Sequence, residues 1–288
     1  METLRPVEHT TGTGPPRPLT RRVVLAIVAL AVGGFAIGTT EFVTMGLLPD
    51  VAASVGVSVP TGGHLISAYA LGVVVGAPTI AALGAKLPRR FLVLGLMTLF
   101  VVGNALTALA PGYGTLLLAR FVAGLPHGAY FGAASLIAAS LVRPEVRGRA
   151  VSSVMLGLAV ANIVGVPGAT WLGQGLGWRA AYWAVVGIGA LTIVCVIAVV
   201  PRVHARAEAS VRSELGALRR PQVLLTLLAG IVGFGGMFAL YSYIAPLVTD
   251  VAGRRPGSCP SSCWSSASGC CWARRWAGGW PTGRCSRR

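Results

Sequence analysis

Seven long apolar runs alternate with short polar connections along the 288 residues of this chain. The runs cover approximately residues 23–48, 65–83, 91–110, 116–141, 151–172, 180–200 and 223–248. A helix needs about 20 apolar residues to cross the hydrocarbon core of a bilayer. Barrel strands would be about ten residues long with strict alternation; these runs are twice that and do not alternate. Lipid offers the backbone no hydrogen-bond partners, so each run must satisfy its own amides. The pattern predicts membrane-spanning helices.

The connections carry the orientation. One holds Lys86, Arg89 and Arg90, another Arg143, Arg147 and Arg149, and a longer one Arg202, Arg206, Arg212, Arg219 and Arg220. The intervening connections, residues 48–62, 111–115 and 173–179, hold a single arginine, Arg179. Lysine and arginine accumulate on the cytoplasmic side of polytopic proteins. The N-terminus is therefore expected inside, and the inner-leaflet arginines suit a multi-pass protein of a bacterial cell membrane. The polar, proline-rich residues 1–22 read as a disordered cytoplasmic lead.

Composition sharpens this picture. Hydrophobic residues make up 54% and charged residues 11%, against about 25% charged in soluble domains. The net charge of +16 invites a nucleic-acid reading, but a nucleic-acid binder gathers its basic residues on one surface, usually with aromatic stacking residues. Here they are distributed loop by loop, so no nucleic-acid partner is expected. No nucleophile elbow, phosphate loop or metal-ligand cluster is present, which argues against an enzyme, a metal site or a cofactor.

Charges inside spans cost about 2.5–3.5 kcal/mol each on insertion scales and usually face a cavity or a partner. Glu41 sits in the first run, within Thr39-Thr40-Glu41-Phe42-Val43-Thr44, about 10 Å below its outer end at helical rise. A carboxyl there is able to bind a cation or take up a proton; a side chain snorkelling to the interface is the simpler alternative. Arg120 lies in the fourth run nearest the outer face. His127 follows seven residues later on the same helix face, with Gly124 between them. Arginine, glycine and histidine on one face suggest a cavity wall, though a histidine bonded to a carbonyl is an ordinary core residue. Asp50 is a weaker protonation candidate, since it falls at the edge of an outer connection. Gly165-Val166-Pro167-Gly168 interrupts the fifth run, where proline removes a backbone hydrogen bond and kinks the helix; a structural kink and a functional hinge both fit. Small residues elsewhere in the spans, such as Gly72, Gly76, Gly128 and Gly157, suit close helix packing.

These residues together resemble the major facilitator superfamily. Arg120-x-x-x-Gly124 is similar to its fourth-span arginine motif, and Gly165-x-Pro167 to the fifth-span motif of its exporters. Residues 81–90 resemble the signature between spans 2 and 3, usually Gly-x-x-x-Asp-Arg-x-Gly-Arg-Arg. Only Lys86, Arg89 and Arg90 match; Ala81, Ala85 and Pro88 replace the two glycines and the aspartate. The sugar- and drug-efflux branch, of the arabinose-efflux-permease and chloramphenicol-resistance type, is closer still. It is resembled by residues 38–52, 87–90, 119–132, 162–179 and 241–246.

The resemblance implies an all-α membrane protein with the major facilitator fold: a six-helix half over residues 23–200, a central cytoplasmic loop over 201–221 and a seventh span over 222–252, with the second half incomplete. It also implies a monomer that exports small drug-like or sugar-like molecules by alternating access, driven by a proton gradient. Glu41 would contact substrate or carry the proton, and Arg120 would couple the two. Lys86, Arg89, Arg90, Gly124, Gly165, Pro167 and Gly168 would serve gating.

After Ala252 the composition changes. Four of the seven Trp and five of the six Cys (Cys259, Cys263, Cys270, Cys271 and Cys285) lie there; only Cys195 sits in an apolar run. Their spacing fits no zinc pattern. Shifting the reading frame back by one base turns Trp and Cys codons into Leu, Val or Met codons, and Ser codons into apolar ones. Residues 261–272 then become an apolar run, the expected eighth span. Residues 276–285 decode to a sequence resembling the family's loop signature. A frameshift near Gly253 is the preferred account, with residues 253–288 an unstructured tail. The alternative function is a non-transporting membrane fragment that associates with other membrane proteins.

Overall fold

The computed structural model describes residues 20–84, 87–201 and 220–242. The lead before Thr20, most of the central loop, Lys86 and the tail after Ser242 lie outside the described residues. Among the described residues, seven helical segments are long and apolar enough to cross a membrane: Arg21–Gly46, Val59–Gly84, Arg89–Leu109, Tyr113–Ser140, Pro144–Leu176, Trp178–Val199 and the segment beginning at Pro221. They are spans 1 to 7 below; the helix of span 7 runs Pro221–Ser242. Every regular element among the described residues is helical, because in lipid only intrahelical bonds satisfy the backbone of a single segment.

The connection expected over residues 48–62 is more ordered than a loop. It folds into two short helices, Leu48–Ser54 and Val59–Gly62, each with proline in its first turn. Proline is pre-set for that position, and the Ser58 hydroxyl accepts the Thr61 amide at 3.3 Å as an N-cap. Spans 5 and 6 join at Gly177, whose φ of +92° lies in a region that residues bearing a Cβ rarely adopt.

Span 1 packs along spans 5 and 6, span 2 on span 4, and span 3 on spans 4 and 6. Apolarity gives no driving force between helices in lipid, so close approach depends on small residues. A Cβ on Gly72 would strike the Phe121 carbonyl, one on Gly124 the Tyr69 carbonyl, and one on Gly76 the Leu125 backbone. Spans 2 and 4 thus touch backbone to backbone. Gly157 does the same for spans 5 and 1, against Ala31. Leu71, Val74, Leu118, Leu156, Ile163 and Val194 face outward from the bundle, a surface suited to hydrocarbon rather than water.

Spans 4 and 5 depart from regular α-helix in their interiors, each at a proline. Span 4 breaks between Gly124 and Pro126. Pro126 has no N–H for the Val122 carbonyl, and the Leu125 amide bonds to that oxygen instead, at 3.3 Å. Span 5 holds a π-helical segment over Ala161–Gly165, closed by the Val166 amide on the Ala161 carbonyl. Pro167 deprives the Ile163 carbonyl of its α-helical donor, and the ladder widens one turn before it, as π-bulges do.

The bundle is tied at both surfaces. At the surface where span 1 begins, the Arg90 guanidinium, at the start of span 3, donates to the Ile197 carbonyl near the end of span 6 at 2.6 Å. At the opposite surface the Trp178 indole donates to the Ser54 hydroxyl at 2.8 Å, and Arg179 donates to the Ala110 carbonyl at 3.0 Å.

Candidate functional site

Two large apolar clusters lie in the bundle. One gathers Leu30, Ile37, Met97, Phe100, Tyr130, Ile137 and Val185; the other gathers Val43, Leu47, Leu65, Leu116, Trp178 and Tyr182 toward the surface where span 1 ends. Along spans 1, 3 and 4 a polar layer separates them: Thr39 and Thr40, Asn104, and Arg120. A buried polar group without a hydrogen bond costs about 1–3 kcal/mol or more. The layer is accordingly bonded almost throughout.

Arg120 is its centre, 1% exposed. Its Nη1 and Nη2 donate to the hydroxyl and the carbonyl of Thr40, both at 3.4 Å. Its Nε has no partner. The guanidinium carbon lies 4.4 Å from the centre of the Tyr69 ring and 5.7 Å from that of Tyr182. Stacking on two aromatic faces stabilises a desolvated cation electrostatically. The Thr40 hydroxyl donates to the Asn104 carbonyl oxygen, and the Asn104 amide nitrogen donates to the Phe100 carbonyl at 2.8 Å. The hydroxyls of Thr44 and Tyr182 share a hydrogen bond of 2.9 Å.

Glu41 is half-buried on span 1, next to Thr40. The Arg120 charge acts on its carboxyl, yet the two form no direct ion pair among the described residues. A carboxyl on span 1 that feels the Arg120 charge, and phenols and hydroxyls gathered about that cation, supply groups able to exchange a proton or a cation. His127 joins indirectly. It lies on the second half of span 4, beyond the break, where its Nδ1 bonds to the Tyr69 hydroxyl at 2.9 Å and its ring packs against Phe131. Tyr69 is thus the link between Arg120 and His127.

The remaining candidates lie elsewhere. Asp50 is exposed in the first turn of Leu48–Ser54, outside the polar layer. Arg89 and Arg90 start span 3, at the surface where span 1 begins. Gly124 belongs to the contact between spans 2 and 4. Gly165 ends the π segment against Thr39 and Phe35, whereas Gly168 has open space where a side chain would begin. Sequence reasoning passed over Tyr69, Thr40, Thr44, Asn104 and Tyr182, because it sought formal charges within the spans. Neutral polar residues in apolar runs, Asn104 above all, were the available signal.

The Major Facilitator Superfamily profile matches residues 30–281. The chain is 47% identical over 230 residues to the inner membrane transport protein YdhP of Escherichia coli K12, covering 80% of this chain and 59% of that one. It is 40% identical over 233 residues to the chloramphenicol resistance protein of Streptomyces lividans, again covering 80% and 59%. It therefore spans about three-fifths of the length of the curated relatives it matches. Among solved structures it is similar in fold to a bacterial homologue of the human lysosomal transporter Spinster, in an inward-facing, occupied conformation. The TM-score is 0.62 at 20% identity, over 84% of this chain and 57% of that one. A profile covering most of the chain, relatives this similar and a bundle of spanning helices agree: this multi-pass membrane protein belongs to the Major Facilitator Superfamily.

Proposed function

We propose that the protein takes part in proton-coupled efflux of small molecules by alternating access, in a cell membrane and with its N-terminus cytoplasmic. In this reading it works as a monomer, draws energy from the proton gradient and needs no cofactor. Glu41 carries the proton or meets the substrate, and Arg120 links the two events. The supporting observation is the buried Arg120 charge held on Thr40, one residue before Glu41, with no direct ion pair between Arg120 and Glu41 among the described residues. A fixed salt bridge would lock both groups, whereas this arrangement leaves Glu41 able to change partner. The relatives support the direction of transport, since one is named for resistance to chloramphenicol.

The test is reconstitution of the chain into liposomes with an imposed pH gradient and labelled chloramphenicol as the first probe, followed by a panel of sugars and lipophilic cations. The expected result is gradient-driven movement that a protonophore collapses and Glu41→Gln abolishes. Movement that ignores the gradient, or is unchanged in Glu41→Gln, would overturn this reading; no movement of any probe would favour the non-transporting fragment.

A further inference from the structure

Span 3 contributes one polar side chain to the centre of the buried layer, and its chemistry fixes which way the Thr40 hydroxyl points beside Arg120. Asn104 is fully buried. Its Nδ2 lies 2.8 Å from the Phe100 carbonyl. A carbonyl only accepts, so the amide nitrogen must face it and Oδ1 must face Thr40. Oδ1 also only accepts, so the single Thr40 hydroxyl proton points at Asn104. What Thr40 then presents to Arg120 is a lone pair. With the amide turned over, the Thr40 proton would point at the guanidinium, donor against donor.

We propose that Asn104 is a positioning residue for Arg120, acting through Thr40. It makes the Thr40 hydroxyl an acceptor and so holds the cation on Thr40, one residue before Glu41. The tether is loose: both Arg120 bonds measure 3.4 Å, beyond the usual 2.9–3.0 Å for N–H···O contacts, and Nε is unbonded. Arg120 is thereby kept near Glu41 without being committed to it. This inference rests on the reading of Arg120 and Glu41 as a coupled pair. The simpler role, in which Asn104 caps the Phe100 carbonyl and fills space, predicts different behaviour.

The two are separable by thermal melting of the purified chain in detergent. Asn104→Leu and Arg120→Gln are made singly and together, with Thr40 intact and in Thr40→Val. Asn104 and Arg120 share no hydrogen bond, so a merely structural Asn104 gives additive melting shifts. Positioning through Thr40 predicts that the double variant melts no lower than the worse single one. The missing additivity should amount to about 2 °C or more, vanish in Thr40→Val and persist in Thr40→Ser, which keeps the hydroxyl. Asn104→Ser is the milder second variant. Its hydroxyl still bonds the carbonyl four residues back but is too short to reach Thr40, so it should show the coupling loss of Asn104→Leu. Additive shifts with Thr40 intact, or Asn104→Ser coupled as in the wild type, would overturn the proposal. Melting requires no transport, so a failed liposome assay would count against the exporter reading alone.

Discussion

Phe42 of span 1 and Phe238 of span 7 are stacked, with ring centroids 5.6 Å apart and planes 27° from parallel. Span 7 is otherwise exposed along most of its described length. Phe42 follows Glu41 directly, and with Met45 and Val166 it forms a buried cluster that Ile66 and Phe238 complete. Spans 1, 2, 5 and 7 therefore converge on apolar side chains just beyond Glu41, toward the end of span 1. Cysteines placed at 42 and 238, with every native cysteine replaced by serine, should be joined within one chain by a short bis-maleimide. The product is visible as a shift in gel mobility, and its absence would place span 7 elsewhere.

The two glycines of the fifth-span motif should behave oppositely. A methyl group at 165 would meet the Thr39 hydroxyl and the Phe35 ring, whereas one at 168 meets nothing. Gly165→Ala should lower stability by about 1–3 kcal/mol through overpacking. Gly168→Ala should be neutral, or stabilising by up to about 1 kcal/mol from helix propensity. Melting of the two variants side by side checks both.

Backbone contact between spans 2 and 4 sets a harder limit. Gly124→Val places its side chain on the Tyr69 carbonyl, and main chain does not yield as a flexible side chain does. The expected outcome is loss of the folded bundle, read as aggregation on size-exclusion chromatography. Gly132→Val, on the same span with open space around it, should remain monodisperse.

Tyr69 holds two interactions that substitution separates. Tyr69→Phe keeps the ring under Arg120 but removes the hydroxyl that bonds His127, and should cost about 1 kcal/mol. Tyr69→Leu also removes the cation–π stack and should cost roughly a further 0.5–2 kcal/mol. Thermal melting should therefore rank the variants in that order; equal losses would show that the stack contributes nothing.

The change in composition after Ala252 predicts something about the gene. The DNA around the Gly253 codon should carry a single-base shift relative to its nearest kin, and restoring the frame should yield an apolar eighth span. Resequencing checks this, and an intact frame would remove the explanation.

The spans were legible in the sequence because lipid imposes one rule on all of them, a long apolar run. Pro126 was not recognised as a break in span 4, since the run continues through it and only the missing amide disrupts the helix. The helices over Leu48–Ser54 and Val59–Gly62 were read as a connection, although Pro49, Ser58 and Pro60 are helix-start signals. At the site, Glu41 and Arg120 were visible as charges. Asn104, Thr40, Tyr69 and Tyr182 were not, because a neutral residue belongs to a polar layer only by virtue of which face its helix turns inward. Packing between helices distant in sequence decides that. Asp50 illustrates the converse: a formal charge drew notice, and the fold puts it at the rim.

Spans 3 and 6 are fastened to each other at both ends, by Arg90 on the Ile197 carbonyl at one surface and Arg179 on the Ala110 carbonyl at the other. Sliding one past the other by half a turn, about 2.7 Å, would break both bonds together. The pair thus behaves as a rigid plank with rungs near its two ends. A force applied at one end of this pair would tilt the whole plank and be felt at its other end, so spans 3 and 6 would move together as a lever rather than flex as a spring.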